Sequence, residues 1–480
     1  MWRDEVHAFA VAAASATLPD LFRALAYEVH PGLWYLLLWV LTRFTDDPQA
    51  MQLLQLAIAL GTWWLVLRCS PFTAGEQLLL LASYFLFWEY FVLARMYGLG
   101  ALLGFAALAL RERTAASSPL PWLALGLLAN TSVFGCLWSF GIGAGWLAQA
   151  GMPARRGALA IAAYPLLVLA AVATMNPAPD WHYRPPDPQR DVGPLAEAAA
   201  YPRGAFLPPA LTRPIEQRLL PASGTAAKAP PEPTAAPAAL GRRAGWLLLP
   251  LVVAPFLLRS RPATLAFFVT YAGTVAFATV FGVAGYARHH GILFLALVGA
   301  AWQARREAGP GVRPSRAWLA VLGVGALAGM ASLAIDQRPF SRAADVAGWL
   351  RREGLADSFL IGWRDMPAST VAGQLARPLY HVECECVRRH VVWNTRRVDV
   401  VDGSDLAARL LRALDGAPGR EAIVIVSEPH TLDPELPLPG IVVERLAAFT
   451  GAVLREENFT VYRLRPAGGT TAKGVSDGGR

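Results

Sequence analysis

The sequence predicts an all-α polytopic membrane domain, with many crossings and large outer loops, followed by a small soluble α/β domain. Three observations carry this. Of 480 residues, 55% are hydrophobic and 16% are charged, against roughly 25% charged in an average soluble domain. About ten apolar runs approach the roughly 20 residues that cross ~30 Å of hydrocarbon. After residue 336 the pattern changes to short alternating strands and helices.

The chain opens on Met1-Trp-Arg-Asp-Glu5, which lacks the basic start and apolar core of a cleavable signal peptide. Asp4 and Glu5 precede an Ala-rich amphipathic stretch from Val6 to Ala16; acids in a first helical turn complement the helix dipole. Pro31 to Phe44 is apolar and rich in Trp and Tyr but too short to span, so it reads as a helix lying in the interface. The crossings are expected near 52–68, 75–93, 98–111, 119–131, 133–150, 157–175, 245–258, 263–285, 288–303 and 316–335. Between them Arg68, Arg111 with Arg113, Arg155 with Arg156, Arg259 with Arg261, and Arg305, Arg306, Arg313 and Arg316 recur after every second crossing. That alternation puts them on one side, and the positive-inside rule makes it the cytoplasm.

Residues 1–50, the turn at Ala94-Arg-Met-Tyr97, a loop at 176–243 and everything after 336 then face outward. The loop is rich in Pro and Ala, above all at 228–237, and its second half reads as flexible. In the outer domain, 336–466, Ser358–Gly362, Ala422–Val426 and Phe459–Arg463 read as strands, and Arg342–Glu353 and Leu406–Leu414 as amphipathic helices. Residues 467–480 read as a disordered tail. The excess of 43 Lys+Arg over 35 Asp+Glu falls in short clusters between apolar runs, not on a basic face, so no nucleic-acid partner is expected. Four cysteines, with Cys69 and Cys136 in or beside apolar runs, do not make a disulfide framework and leave the redox compartment open.

Several polar residues gather on the outer side: Asp4 and Glu5, His30 in Tyr27-Glu-Val-His30-Pro31, Arg95 and Tyr97, and Arg288 with His289 in Tyr286-Ala-Arg-His-His290. Charge at the end of an apolar run marks function unless it only anchors the interface. Their order resembles the GT-C superfamily of membrane glycosyltransferases, in particular the branch of protein mannosyltransferases and bacterial aminoarabinose or undecaprenyl-phosphate-sugar transferases. The likeness rests on an Asp-Glu pair in the first outer loop, a His-Pro-x-x-Tyr step into an interfacial helix, and an Ala-Arg-x-Tyr turn. It covers the first 110 residues by motif and the rest by layout. Two features depart from it: Gly32 stands where the family commonly has a second proline, and the crossing that precedes the Asp-Glu loop is missing, so the reading expects the encoded start to lie upstream of Met1.

The resemblance implies an enzyme that moves a sugar from a polyprenyl-phosphate carrier to a glycan, lipid or protein acceptor at the outer face of a bacterial cytoplasmic membrane. Asp4 or Glu5 would be the general base, with Asp4 favoured. Arg95, Tyr97, Arg288 and His289 would hold the donor phosphate, with His30 beside them. The resemblance fixes no cofactor; Glu5 would orient either the interfacial helix or a divalent metal ion. His381-Val-Glu-Cys384-Glu-Cys386-Val-Arg-Arg-His390 has ligand types that zinc uses. Without a second Cys-x-x-Cys pair it reads as a strand with solvent-facing polar residues, and no metal site is assigned. Two other classes fit the composition: a transporter or flippase of lipid-linked glycans, disfavoured by the absence of internal repeats and of midplane polar residues, and a non-catalytic scaffold.

Overall fold

The computed structural model describes the chain except residues 2, 116–117, 151–154, 183–197, 209–210, 212–245, 249, 251–253, 255–257, 282–284, 310–312, 433–437 and 468–480. It divides into two compact units, Val11–Arg338, and Met1–Ala10 together with Pro339–Arg480. The first helix, α1 (Arg3–Ala14), thus starts among the residues of the sheet-bearing unit, whereas the sequence assigned 1–335 to the membrane domain.

The larger unit is helical. A capping box between Thr17 and Asp20 opens α2 (Leu18–Glu28), supplying partners for amide groups the helix itself leaves unpaired. It is followed by α3 (Leu33–Leu41), where the interfacial run was expected, and by α4 (Ala50–Cys69) and α5 (Ala74–Leu81). A π-helical turn, Tyr84–Glu89, leads to α6 (Met96–Arg113), α7 (Leu120–Ala129), α8 (Val133–Ala150) and α9 (Arg155–Thr174). A short α10 (Ala200–Phe206) precedes α11 (Arg261–Phe281), α12 (Ala287–Ala308) and α13 (Arg316–Asp336).

Among the described residues three helices are long and apolar enough to cross a membrane: Ala50–Cys69, Arg261–Phe281 and Arg316–Ala334. Others fall short of the expected spans. The 75–93 run is not one helix, because α5 stops at Leu81 and the backbone turns at Ala82 and Ser83 before the π-helical turn. Helix α13 passes against this break, and it does so at Gly329, where a Cβ would stand 2.0 Å from the Ala82 carbonyl oxygen. Helix α7 has ten residues, about 15 Å of rise, half of what ~30 Å of hydrocarbon requires. The expected crossing at 245–258 lies largely outside the described residues, as do the 228–237 stretch and nearly all of the tail.

The unit's exterior is apolar. Leu53, Leu78, Leu166 and Leu327 are 70%, 70%, 68% and 66% exposed. Two opposite ends are polar. At one, the finish of α4 meets those of α6 and α12: Arg113 donates to the Arg68 carbonyl at 3.1 Å and Arg306 to the Cys69 carbonyl at 2.6 Å. There Arg305 and the Trp318 indole both reach the buried Glu76 carboxylate at 2.7 Å, tying in the starts of α5 and α13. Helices α6 and α12, of 18 and 22 residues, run from this end for about 27 and 33 Å, close to the hydrocarbon thickness.

In the other unit a six-stranded sheet is ordered β3-β2-β1-β4-β6-β5. Its strands are β1 (Leu360–Trp363), β2 (Leu379–His381), β3 (Cys386–Arg388), β4 (Ala422–Ser427), β5 (Ile441–Phe449) and β6 (Phe459–Pro466). β1 pairs in parallel with β2 and β4, and the outer pairs are antiparallel. Helices cover both faces: α14 (Ala343–Arg352) and α15 (Asp365–Leu375) on one, α16 (Gly403–Asp415) on the other. Alternate residues of one strand serve opposite faces, so Leu360, Ile423 and Ile425 pack with α14 and α15, while Ile361, Val424 and Val426 pack with α16. Burial on both sides explains why β4 reads as an unbroken apolar run.

Candidate functional site

The polar end of the helical unit away from the arginine-rich one starts with an unusual turn. Val29 caps α2 at φ 53°, a left-handed conformation that a β-branched residue rarely adopts. It redirects the chain so that His30 and Pro31 lead into α3. On either side of it Tyr35 Oη donates to Glu28 at 3.0 Å, Tyr27 Oη donates to Asp180 at 2.8 Å, and the Trp181 indole donates to the Tyr27 carbonyl at 3.1 Å.

Arg95 is the N-cap of α6, and Arg288 and His289 lie in the first turn of α12. Three contacts hold these starts side by side. Tyr90 Oη donates to the Arg288 carbonyl at 2.7 Å; the Tyr90 and Tyr97 rings stack at 5.8 Å; and the Tyr97 ring stands 5.8 Å from His289. Gly291 admits Tyr90, since a Cβ there would fall 2.3 Å from the tyrosine oxygen. The Arg288 guanidinium lies 4.1 Å from the centre of the Tyr286 ring, a cation–π contact. His289 stacks on Phe134 at 4.8 Å, and its Nδ1 accepts from the Tyr286 backbone N–H at 3.1 Å. That bond leaves Nε2 as the protonated nitrogen, the one able to donate to an anion.

His289 lies within electrostatic reach of Arg288, His290, His30 and Arg95, and Tyr35 within reach of Glu28, Arg95 and Tyr97. His30, Arg95, Tyr97, Arg288 and His289, drawn from three separate sequence segments, are therefore brought together. The cluster offers two guanidiniums and an imidazole N–H among aromatic rings, with the Glu28 carboxylate alongside. Fixed donors of this kind stabilise charge on a phosphate.

Asp4 and Glu5 are carried by the other unit. The Arg3 backbone N–H donates to Glu457 at 3.0 Å, the Arg3 guanidinium bonds Glu456 and lies 3.9 Å from Asp4, and Glu5 is 2% exposed. Burial pushes the Glu457 carboxyl up to about 7, against the pull of Arg3.

The sequence reading missed Glu28, Tyr90, Phe134 and Tyr201. Glu28 stands inside a segment already singled out, two residues before His30. Phe134 and Tyr201, which pack at 5.8 Å beneath the histidines, carry no signal among so many apolar residues. The His381–His390 segment also differs from its reading: β2, a turn and β3 form a hairpin in which Cys384 and Cys386 are disulfide-bonded and His381 and Glu383 are each 1% exposed. Among the described residues no group of three or more His, Cys, Asp or Glu is arranged to hold a metal ion. No protein-family profile, characterised protein or solved structure matches the chain.

Proposed function

We propose that the protein is a polytopic membrane glycosyltransferase that takes a sugar from a polyprenyl-phosphate carrier at the outer face of the membrane. The observation that carries this reading is the convergence of Arg95, Arg288 and His289, with Tyr97 and His30, at the end of the helical unit opposite the arginine-rich one. The donor phosphate binds these groups, and they offset the charge that grows on it as the anomeric bond breaks. The acceptor hydroxyl loses its proton to a carboxylate, which the family resemblance assigns to Asp4 with Glu5 in support. The polyprenyl chain lies against the apolar exterior of the helices.

Orientation follows from charge. The end holding Arg68, Arg113, Arg305 and Arg306 is cytoplasmic, which sets the phosphate cluster outside. The Cys384–Cys386 disulfide supports an extracytoplasmic sheet domain, because disulfides persist in oxidising compartments.

The test is transfer from a radiolabelled polyprenyl-phosphate sugar in membranes containing the full-length protein. Arg95→Ala and Arg288→Ala are expected to weaken donor binding and turnover together, because the phosphate is present before and after transfer. Asp4→Asn is expected to lower turnover with donor affinity nearly intact. Unchanged transfer in both arginine variants would remove the reading.

A further inference from the structure

The β2–β3 hairpin and the segment after it enclose a cavity of about 140 Å³ in the sheet-bearing unit, lined among others by Asp365, His381, Arg388, Asn394, Arg396 and Arg397. Its charges do not cancel. Asp365 is taken up by Arg397, which binds both carboxylate oxygens at 2.6 and 2.9 Å. Glu385, also on the wall, is held by Arg412 at 2.7 and 3.0 Å and by Arg409 at 3.4 Å. Among the described residues the guanidiniums of Arg388 and Arg396 have no hydrogen-bond or ion-pair partner, and both residues line the cavity, Arg388 half-buried and Arg396 at its exposed rim.

His381 adds a neutral polar group. Its Nε2 lies 3.1 Å from the Arg388 carbonyl oxygen, which only accepts, so Nε2 carries the proton and Nδ1 is a bare acceptor. That nitrogen is buried without a hydrogen-bond partner among the described residues, and a buried polar atom in this state calls for one. Arg397 is fixed further by Asp399 and by the Trp393 ring, 4.7 Å from its guanidinium carbon. The disulfide between Cys384 and Cys386 closes the turn that carries the hairpin wall. The site thus offers two cationic side chains and one buried acceptor, a set that suits an anion bearing a hydrogen-bond donor.

We propose that this cavity binds one acidic sugar residue, whose carboxylate or phosphate meets Arg388 and Arg396 while a neighbouring hydroxyl donates to His381 Nδ1. The volume is below the roughly 300–1,000 Å³ of pockets for drug-sized ligands, which fits a single monosaccharide unit. Guanidiniums match the planar or tetrahedral oxyanion geometry better than ammonium groups do. The inference goes beyond the transferase reading and does not depend on it, since the cavity lies wholly within the sheet-bearing unit and the measurement is of binding alone.

The experiment is a ligand-observed NMR titration of the full-length protein in detergent micelles with glucuronate, glucose 1-phosphate, glucose and acetate. A charged sugar is expected to bind at least about tenfold more tightly than glucose or acetate, a difference of one charge-assisted contact or more. Binding by glucuronate alone assigns the oxyanion to a uronate, and binding by glucose 1-phosphate alone assigns it to a sugar phosphate; either supports the site. In the double variant Arg388→Gln/Arg396→Gln the affinity is expected to fall at least about tenfold while the sheet unit unfolds at the wild-type temperature. The proposal is overturned if neither charged sugar binds, if glucose or acetate binds as well as they do, or if the double variant binds like the wild type.

Discussion

Replacing Arg397 by Met should unfold the sheet-bearing unit far more readily than replacing its partner Asp365 by Asn. The side chains of this pair are 10% and 4% exposed, so neither charge is effectively solvated. Removing Arg397 strands Asp365 and also releases Asp399, which the same guanidinium bonds. Stranding a buried partner costs about 3–5 kcal/mol. Removing the charge of Asp365 instead leaves Arg397 bound to Asp399, itself 36% exposed, and the loss is that of a charged hydrogen bond, about 1.5–3 kcal/mol. The double variant Asp365→Asn/Arg397→Met removes both charges and should cost no more than Arg397→Met alone. The coupling between the sites is then at least the Asp365→Asn cost, about 1.5–3 kcal/mol. Hydrogen exchange of peptides covering β1 and β4, measured on the full-length protein through a urea series, reads these differences. An Arg397→Met cost below that of Asp365→Asn would refute the argument.

The same unit should lose stability as pH rises through the neutral range. Burial and the adjacent Asp365 raise Glu383 from 4.5 to about 8, so the folded state keeps a proton that the unfolded chain has released. A raised carboxyl favours the fold below the unfolded value and stops doing so above the folded one; between the two, each pH unit costs about 1.4 kcal/mol at most. Glu383→Gln should flatten that dependence, and an unaltered slope in urea unfolding between pH 5 and 8 would contradict it. In the helical unit, Tyr90→Phe removes the 2.7 Å bond to the Arg288 carbonyl, and donor affinity in the transfer assay should fall by about 1 kcal/mol, a several-fold change. Gly291→Val places side-chain atoms where Tyr90 and Phe85 already stand; overpacking of this sort costs about 1–3 kcal/mol, to be read as a lower yield of monodisperse protein in detergent together with reduced transfer.

Legibility in the sequence followed burial. Strands β1, β4 and β6 could be found because central strands are apolar without interruption, and α14 and α16 because their apolar residues recur with the helical period. β2 and β3 have three residues each, too few to show a period, and the Ile441–Phe449 strand, IVVERLAAF, has a residue content that suits a helix equally well. Hydropathy read 75–93 as continuous because the break falls at Ala82 and Ser83, where Ser83 is buried and small and interrupts nothing in composition. At the candidate site, Arg95, Arg288 and His289 were conspicuous as charge at the limits of apolar runs. Their aromatic supports were not, since a Phe or Tyr in such a run looks like any other lipid-soluble residue. Asp4 and Glu5 were visible as acids at a helix start, but nothing in a local pattern tells which unit a helix start belongs to.

The parallel course of α6 and α12 has an electrical consequence. Both helices begin at the Arg95–His289 cluster and finish among Arg113, Arg305 and Arg306. Each helix presents roughly half a positive charge at its start and half a negative one at its finish. The two starts together therefore add about one elementary charge of positive potential beside the arginines, supplied by backbone amides that no side-chain substitution can delete. At the far end the last turns carry Arg111 and Arg113 on α6 and Arg305 and Arg306 on α12, cations that offset the negative poles. A single arginine variant should consequently retain part of its attraction for a phosphate, and the double replacement of Arg95 and Arg288 would leave that attraction to the backbone field and the His289 N–H.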